Sequence, residues 1–180
     1  MALAGRIGSG KTSIAAALAH GLGWPRVSFG DHVRSEAARR GLDSGSREVL
    51  QELGEALLGQ DLDGFCRAVL AQADRTLGDG LVLDGVRHVA VLDALRRLLG
   101  PSPVRLIYLA ASDEARRLRL AAAGRWDGGV MANAERHSTE ADLQAALPGR
   151  ADAVIDADRA FDAVLADAIA CARQAKASAA

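Results

Sequence analysis

Aromatic side chains are scarce in this chain. Six of 180 residues, 3%, carry an aromatic ring, too few for the stacking platform on which proteins hold single-stranded nucleic acid. Neither sign of charge is in excess: the formal net charge is −1, which gives no general pull toward a phosphate backbone. Asparagine occurs once, at Asn133, and Ala134 follows it. The N-K-x-D signature of a guanine-nucleotide switch is therefore missing. The two cysteines, Cys66 and Cys171, make no disulfide framework and lack metal-ligand spacing. They are expected to be reduced core residues. No stretch approaches the ~20 apolar residues of a membrane helix, and the chain enters its first motif too early for a signal peptide. The expectation is a cytoplasmic protein without a membrane or nucleic-acid partner. A length of 180 residues and an apolar share of 49% suit one domain over 1–180 with a sizeable core.

Lysine is nearly absent too, with two residues against twenty arginines, yet one of the two is Lys11. It stands in Gly5-Arg6-Ile7-Gly8-Ser9-Gly10-Lys11-Thr12, a complete G-x-x-x-x-G-K-S/T phosphate-binding loop. Glycines let successive backbone amides converge on one anion. The following helix adds the positive end of its dipole. The lysine reaches the outer phosphates, and the Thr12 hydroxyl suits a magnesium ion. Gly5, Gly8, Ser9, Gly10, Lys11, Thr12 and Ser13 are the expected nucleotide ligands. A chance Gly-rich turn is the plain alternative, but the context opposes it. Ala2-Leu3-Ala4 reads as the end of a short buried strand, and Ile14, Leu18 and Leu22 recur at helical spacing. The first strand has almost no residues ahead of the loop, so either it is unusually short or the true start lies upstream.

Short apolar runs alternate with helical patterns along the rest of the chain. Val27-Ser28-Phe29, Leu81-Val82-Leu83, Val104 to Leu109 and Ala153-Val154-Ile155 read as four further strands. Between them Leu50, Leu53 and Leu57 share one helical face, as do Leu92, Leu95 and Leu99. Phe161, Val164, Leu165, Ala168, Ile169 and Ala172 follow an amphipathic pattern with Asp158 as a candidate cap. Buried strands alternating with helices predict an α/β fold. With the phosphate loop after its first strand, the layout resembles the three-layer P-loop NTPase fold, a five-stranded parallel sheet flanked by helices. The ligand is expected at the carboxyl ends of the strands. An insert over about 31–78 is expected to cover the acceptor. The Gly-rich stretch from Gly124 to Asn133, with Gly128 and Gly129, is expected to form a short lid over about 119–134 that excludes water.

The polar residues fall where that ligand belongs. Asp84 closes Leu81-Val82-Leu83-Asp84 and is expected to hold magnesium with Thr12, although Asp-Gly is also a common turn pair. Arg34 and Arg87 each follow a strand end by about one turn, and Arg119 and Arg125 follow the fourth strand. Planar guanidinium forks suit charge on a moving phosphoryl group. Lys11, Arg87, Arg119 and Arg125 are the candidate catalytic residues, and Asp31, Arg34 and Arg87 the candidate acceptor ligands. Most other arginines are expected on helix faces, including Arg39-Arg40, Arg96-Arg97 and Arg116-Arg117. His20, His88, His137 and Glu140 are read as structural, and Ser138 or Thr139 with Asp142 as a helix start.

Assembled in this order, the residues resemble the nucleoside monophosphate kinase group of P-loop kinases. Gly30-Asp31-His32-Val33-Arg34 resembles that group's G-D-x-x-R segment, whose arginine binds the acceptor phosphate. Asp84-Gly85-Val86-Arg87 resembles its D-G-x-x-R segment, and Arg119 falls near its first lid arginine. Ser28-Phe29-Gly30-Asp31, Arg47 to Gly54 and His137 to Glu140 are similar to phage-type deoxynucleoside monophosphate kinases, and dephospho-coenzyme A kinase shares much of the layout. The sequence departs from the group at Asp156-Ala157-Asp158, where an asparagine near the donor base is usual. The resemblance implies ATP and magnesium, a nucleoside monophosphate acceptor and a monomer or homodimer. Dephospho-coenzyme A kinase, with Asp31 as base toward a hydroxyl acceptor, and a non-catalytic nucleotide-binding regulatory module are the alternatives.

Overall fold

The apolar side chains of the central strands point alternately to two sides, and each side is covered by helices. A computed structural model describes residues 1–73, 80–126 and 145–177. Its elements in order are β1 (Ala2–Ala4), α1 (Lys11–Leu22), β2 (Arg26–Ser28), α2 (Phe29–Arg39), α3 (Arg47–Gln60), α4 (Leu62–Leu70), β3 (Val82–Asp84), α5 (Val89–Leu98), β4 (Leu106–Ala110), α6 (Asp113–Ala122), α7 (Leu147–Arg150), β5 (Ala153–Asp156) and α8 (Phe161–Ala177). The five strands form one sheet in the order β2-β3-β1-β4-β5, and every pairing is parallel. This is the expected three-layer α/β architecture.

Strand periodicity sets the layers. Ala2, Ala4, Leu83, Leu106 and Tyr108 face one core, with side chains of α2, α4 and α5. Leu3, Val82, Ile107, Leu109 and Ile155 face the other, with Ile14, Leu18, Val164 and Ala168. Burying a leucine such as Leu18, Leu92 or Leu106 contributes about 1.5–3 kcal/mol. Small residues let α1 and α8 approach on the second side: Ala15, Ala168 and Ala172 are fully buried.

Several boundaries differ from the sequence reading, each for a local reason. Phe29 opens α2 instead of closing β2, because the Ser28 hydroxyl accepts from the Asp31 amide at 3.1 Å and caps the helix there. Strand β3 starts one residue later than expected, at Val82, and Asp84 closes it as expected. Asp158 does not cap α8. Its carboxylate accepts from the Ser112 amide at 2.9 Å and ties the end of β5 to the start of α6. Phe161 belongs to neither core; it is 47% exposed and lines the large cleft. The stripe of α8 buries Val164, Ala168 and Ala172 instead. Ser46, Asp61 and Ser112 cap α3, α4 and α6 through their side chains. Among the described residues no helix is long and apolar enough to cross a membrane. Gly78 and the stretch that contains Gly128, Gly129, Asn133, His137, Ser138, Thr139, Glu140 and Asp142 lie outside the described residues.

Candidate active site

Strands β1 and β3 end side by side, with Leu3 in register with Asp84. The loop from Gly5 to Gly10 leaves the first strand and Asp84 ends the second. The loop is wound by glycine: Gly5, Gly8 and Gly10 all have positive φ. Gly8, at φ +83°, has a further reason to lack a side chain, since a Cβ there would lie 2.9 Å from the Arg116 carbonyl oxygen. Gly10 occupies the N-cap of α1, and no side chain caps that helix. Its leading amides are thus left to whatever anion sits above them. The Ser9 hydroxyl is buried and has no partner among the described residues.

Lys11, the first residue of α1, turns onto Asp84 and bonds its Oδ1. The Asp84 side chain is 2% exposed. Its Oδ2 accepts from Arg26 at 2.9 Å. Burial pushes the Lys11 ammonium below its usual pKa. Asp84 opposes that shift, while Arg87 and Arg26 add to it. Arg87 therefore stands close enough to Lys11 to act on it. Gly85 follows Asp84 at φ +98°, and a Cβ there would lie 3.8 Å from Lys11 Nζ.

Helix α2 supplies the opposite wall. Arg34 bonds Asp31 one turn back, and Arg26 reaches the other Asp31 oxygen at 3.4 Å. Burial acts to raise the Asp31 pKa, but Arg34, the Ser28 hydroxyl and Arg26 outweigh it and hold the carboxyl below its ordinary range. One cleft of about 1130 Å³ joins the two walls. The phosphate loop with Lys11 and Thr12 lines it, and so do Arg34, Arg47 and Arg87. Phe29, Val33, Leu50, Leu58 and Phe65 form an apolar slot beside the arginines, with Gln51 and Glu55 at its edge. Phe29 and Phe65 meet edge to face, 5.5 Å between centroids.

Helix α6 brings Arg119 to the cleft, and Arg125, beyond the end of that helix, lines it too. Arg119 donates to the Ser9 carbonyl at 3.5 Å and to the Ala157 carbonyl. Every site residue expected from sequence therefore falls on this cleft except Asp31 and Asp84, which reach it through Arg34 and Lys11. Sequence reasoning missed two residues. Arg116, expected on a helix face, is only 3% exposed and donates through Nε to the Ile7 carbonyl at 2.6 Å. Its position beside Arg117 gives no signal of this. Arg26 joins Asp84 to Asp31. It stands just ahead of the expected second strand, and no motif there marks its partners.

The donor set fits a magnesium nucleotide. It offers a glycine-wound cradle, a lysine, a hydroxyl on Thr12 and a buried carboxylate on Asp84 for a hard cation.

Comparison with known proteins agrees with this geometry. The AAA domain family matches residues 4–136. A UPF0200 protein of Pyrobaculum aerophilum is 36% identical over 129 residues, 71% of this chain and 67% of that one. A UPF0200 protein of Methanosarcina barkeri is 35% identical over 130 residues, again 71% and 67%. Adenylate kinase isoenzyme 1 of Gallus gallus is 32% identical over 131 residues, 71% of this chain and 66% of that one. Among solved structures, TT1252 from Thermus thermophilus superposes with a TM-score of 0.63 at 19% identity, covering 96% of this chain and 95% of that one. A gluconokinase from Sinorhizobium meliloti 1021 gives 0.63 at 16% identity, covering 98% and 93%. These two likenesses show the fold. With its phosphate loop intact and the family match running over most of its length, the chain is a P-loop, kinase-like member of the AAA domain family and a relative of the UPF0200 proteins.

Proposed function

We propose that the protein transfers the γ-phosphoryl group of ATP to a nucleoside or deoxynucleoside monophosphate. The observation that carries this reading is a cleft lined both by the phosphate loop with Lys11 and by Arg34 and Arg87. Two sets of phosphate-binding groups on one cleft suit two phosphate-bearing molecules.

The loop amides and Lys11 hold the donor phosphates. Thr12 and Asp84 would hold magnesium, which neutralises the β- and γ-oxygens when bound. Arg34 takes the acceptor phosphate, and the apolar slot around Phe29 and Phe65 receives the flat base. Arg87, whose charge acts on Lys11, would stand between the two phosphates, and Arg119 of α6 and Arg125 just beyond that helix would close on the donor. An acceptor oxygen bonds to the γ-phosphorus while the bond to the β-bridging oxygen breaks, and that electron pair leaves with ADP. A phosphate monoester has a second pKa near ~6 and is already ionised at neutral pH. The step needs no general base, only positioning and charge neutralisation.

The alternative, a hydroxyl acceptor as in dephospho-coenzyme A kinase, needs Asp31 as base. Asp31 is bonded by Arg34 and Arg26, and its carboxyl is held below its ordinary range. Both facts favour a structural carboxylate over a proton acceptor. The test is an ADP-release screen with ATP and magnesium against all ribo- and deoxyribonucleoside monophosphates plus dephospho-coenzyme A. Turnover with at least one monophosphate is expected. Turnover with dephospho-coenzyme A alone, abolished in Asp31→Asn, would move the assignment to the hydroxyl kinase. Triphosphate binding without ADP release under any condition would leave a regulatory nucleotide-binding module.

A further inference from the structure

We propose that Arg26 is a positioning residue that aims the Asp84 carboxylate at the divalent cation and links it to the acceptor wall. The proposal rests on the nucleotide reading of the cleft given above.

Arg26 opens β2, an edge strand of the sheet. The register of β2 against β3 pairs Arg26 with Val82 and Ser28 with Asp84. Arg26 thus starts two residues behind Asp84, roughly 6–7 Å along the strand. An extended arginine spans that gap. Its NH1 donates to Asp84 Oδ2 at 2.9 Å, and its NH2 donates to Asp31 Oδ2 at 3.4 Å.

The two cations on Asp84 are not equivalent. Lys11 is a point charge on a flexible stem, and a triphosphate gives it a stronger anion to follow. Once it turns away, Asp84 Oδ1 is released toward the loop. Arg26 has no reason to leave. Its planar fork is shared between carboxylates of β3 and α2, and both remain in place. The Asp84 side chain is 2% exposed, so its oxygens need hydrogen-bond partners within the protein. Arg26 supplies one after Lys11 has gone, and it fixes which oxygen faces the cation. Outer hydrogen bonds of this kind typically set about 10–100-fold in metal affinity.

The test measures triphosphate affinity by calorimetry with magnesium and again in EDTA, for the wild type, Arg26→Met and Arg26→Lys. The wild type is expected to bind more tightly with magnesium. Arg26→Met should lose about tenfold or more of that magnesium-dependent gain while its EDTA affinity stays within about twofold. Arg26→Lys, which keeps a charge but not the fork, should lie between them and serves if Arg26→Met fails to fold. Full retention of the magnesium gain in a folded variant overturns the proposal. So does an equal loss with and without magnesium, which is the mark of a merely structural role. Failure of the wild type to bind any triphosphate overturns the nucleotide reading itself, and this inference with it.

Discussion

Arg116 Nε donates to the Ile7 carbonyl oxygen at 2.6 Å, so a buried guanidinium on α6 holds the middle of the phosphate loop. The same side chain bonds Asp113 at 2.7 Å, and Asp113 also receives Arg6 of the loop. Two loop residues are thus tied to the helix that carries Arg119. Removing the guanidinium orphans a carbonyl, which costs about 1–3 kcal/mol. Arg116→Met should lose that much stability in denaturant unfolding and weaken triphosphate binding roughly tenfold. Unchanged stability and affinity would show that the loop needs no support from α6.

Gly8 lies on the other side of the same contact. At φ +83° a non-glycine residue costs about 1–2 kcal/mol before any clash. A Cβ would also meet backbone of Arg116 at 2.9 Å, and backbone cannot swing aside as a side-chain tip can. Gly8→Ala should therefore displace the loop and abolish measurable triphosphate binding, with a melting temperature below wild type. An alanine variant that binds normally would contradict this packing.

Lys11→Met should lower turnover by about 10³-fold, or ~4 kcal/mol of transition-state stabilisation. Arg26 still partners Asp84 in that variant, so the protein should fold. The check is steady-state kinetics beside a circular-dichroism melt. Near-normal turnover would remove Lys11 from the reaction.

Arg34→Ala should raise the acceptor KM by about 10–100-fold, the value of a hydrogen-bonded charge, and leave donor affinity nearly unchanged. Equal losses toward donor and acceptor would place Arg34 outside the acceptor end. Arg34 is half exposed and bonded to Asp31, so an incoming phosphate displaces only a surface pair.

Glu36 makes a pH prediction on the outer face of α2. Hydrogen bonds from Arg39 and Arg40 lower its pKa from 4.5 to about 2. A carboxyl depressed in the folded state adds stability above its unfolded value and loses it as pH falls through the folded one. The contribution should be complete above about pH 4.5 and gone near pH 2. A carbon-detected NMR titration should find the Glu36 midpoint near the lower value, and Arg39→Ala with Arg40→Ala should return it toward the upper one. A wild-type midpoint above pH 4 would refute the pairing.

The parts of this protein that were legible in the chain are those set by local chemistry. A loop that needs glycine at left-handed positions and a lysine at its end announces itself by residue type and spacing alone. Strands buried on both faces read as short apolar runs, and α3, α5 and α8 showed their buried stripes through spacing. Asp84 closes a strand, and Arg34 and Arg87 stand a few residues past strand ends, which converge in a parallel sheet.

Contacts between distant segments left no such trace. Arg116 and Ile7 are 109 residues apart, and Arg26 and Asp84 are 58 apart. Nothing near any of them marks the partner, so Arg116 read as a surface charge, and Arg26, just ahead of the expected second strand, drew no reading. Asp158 had the right type for a helix cap but found the Ser112 amide, brought near by the pairing of β4 with β5. Phe161 fitted the apolar stripe of α8, yet the first turn of that helix overhangs the cleft, not the core. Spacing along one element tells which residues share a face; only the packing of one element on another decides what that face meets.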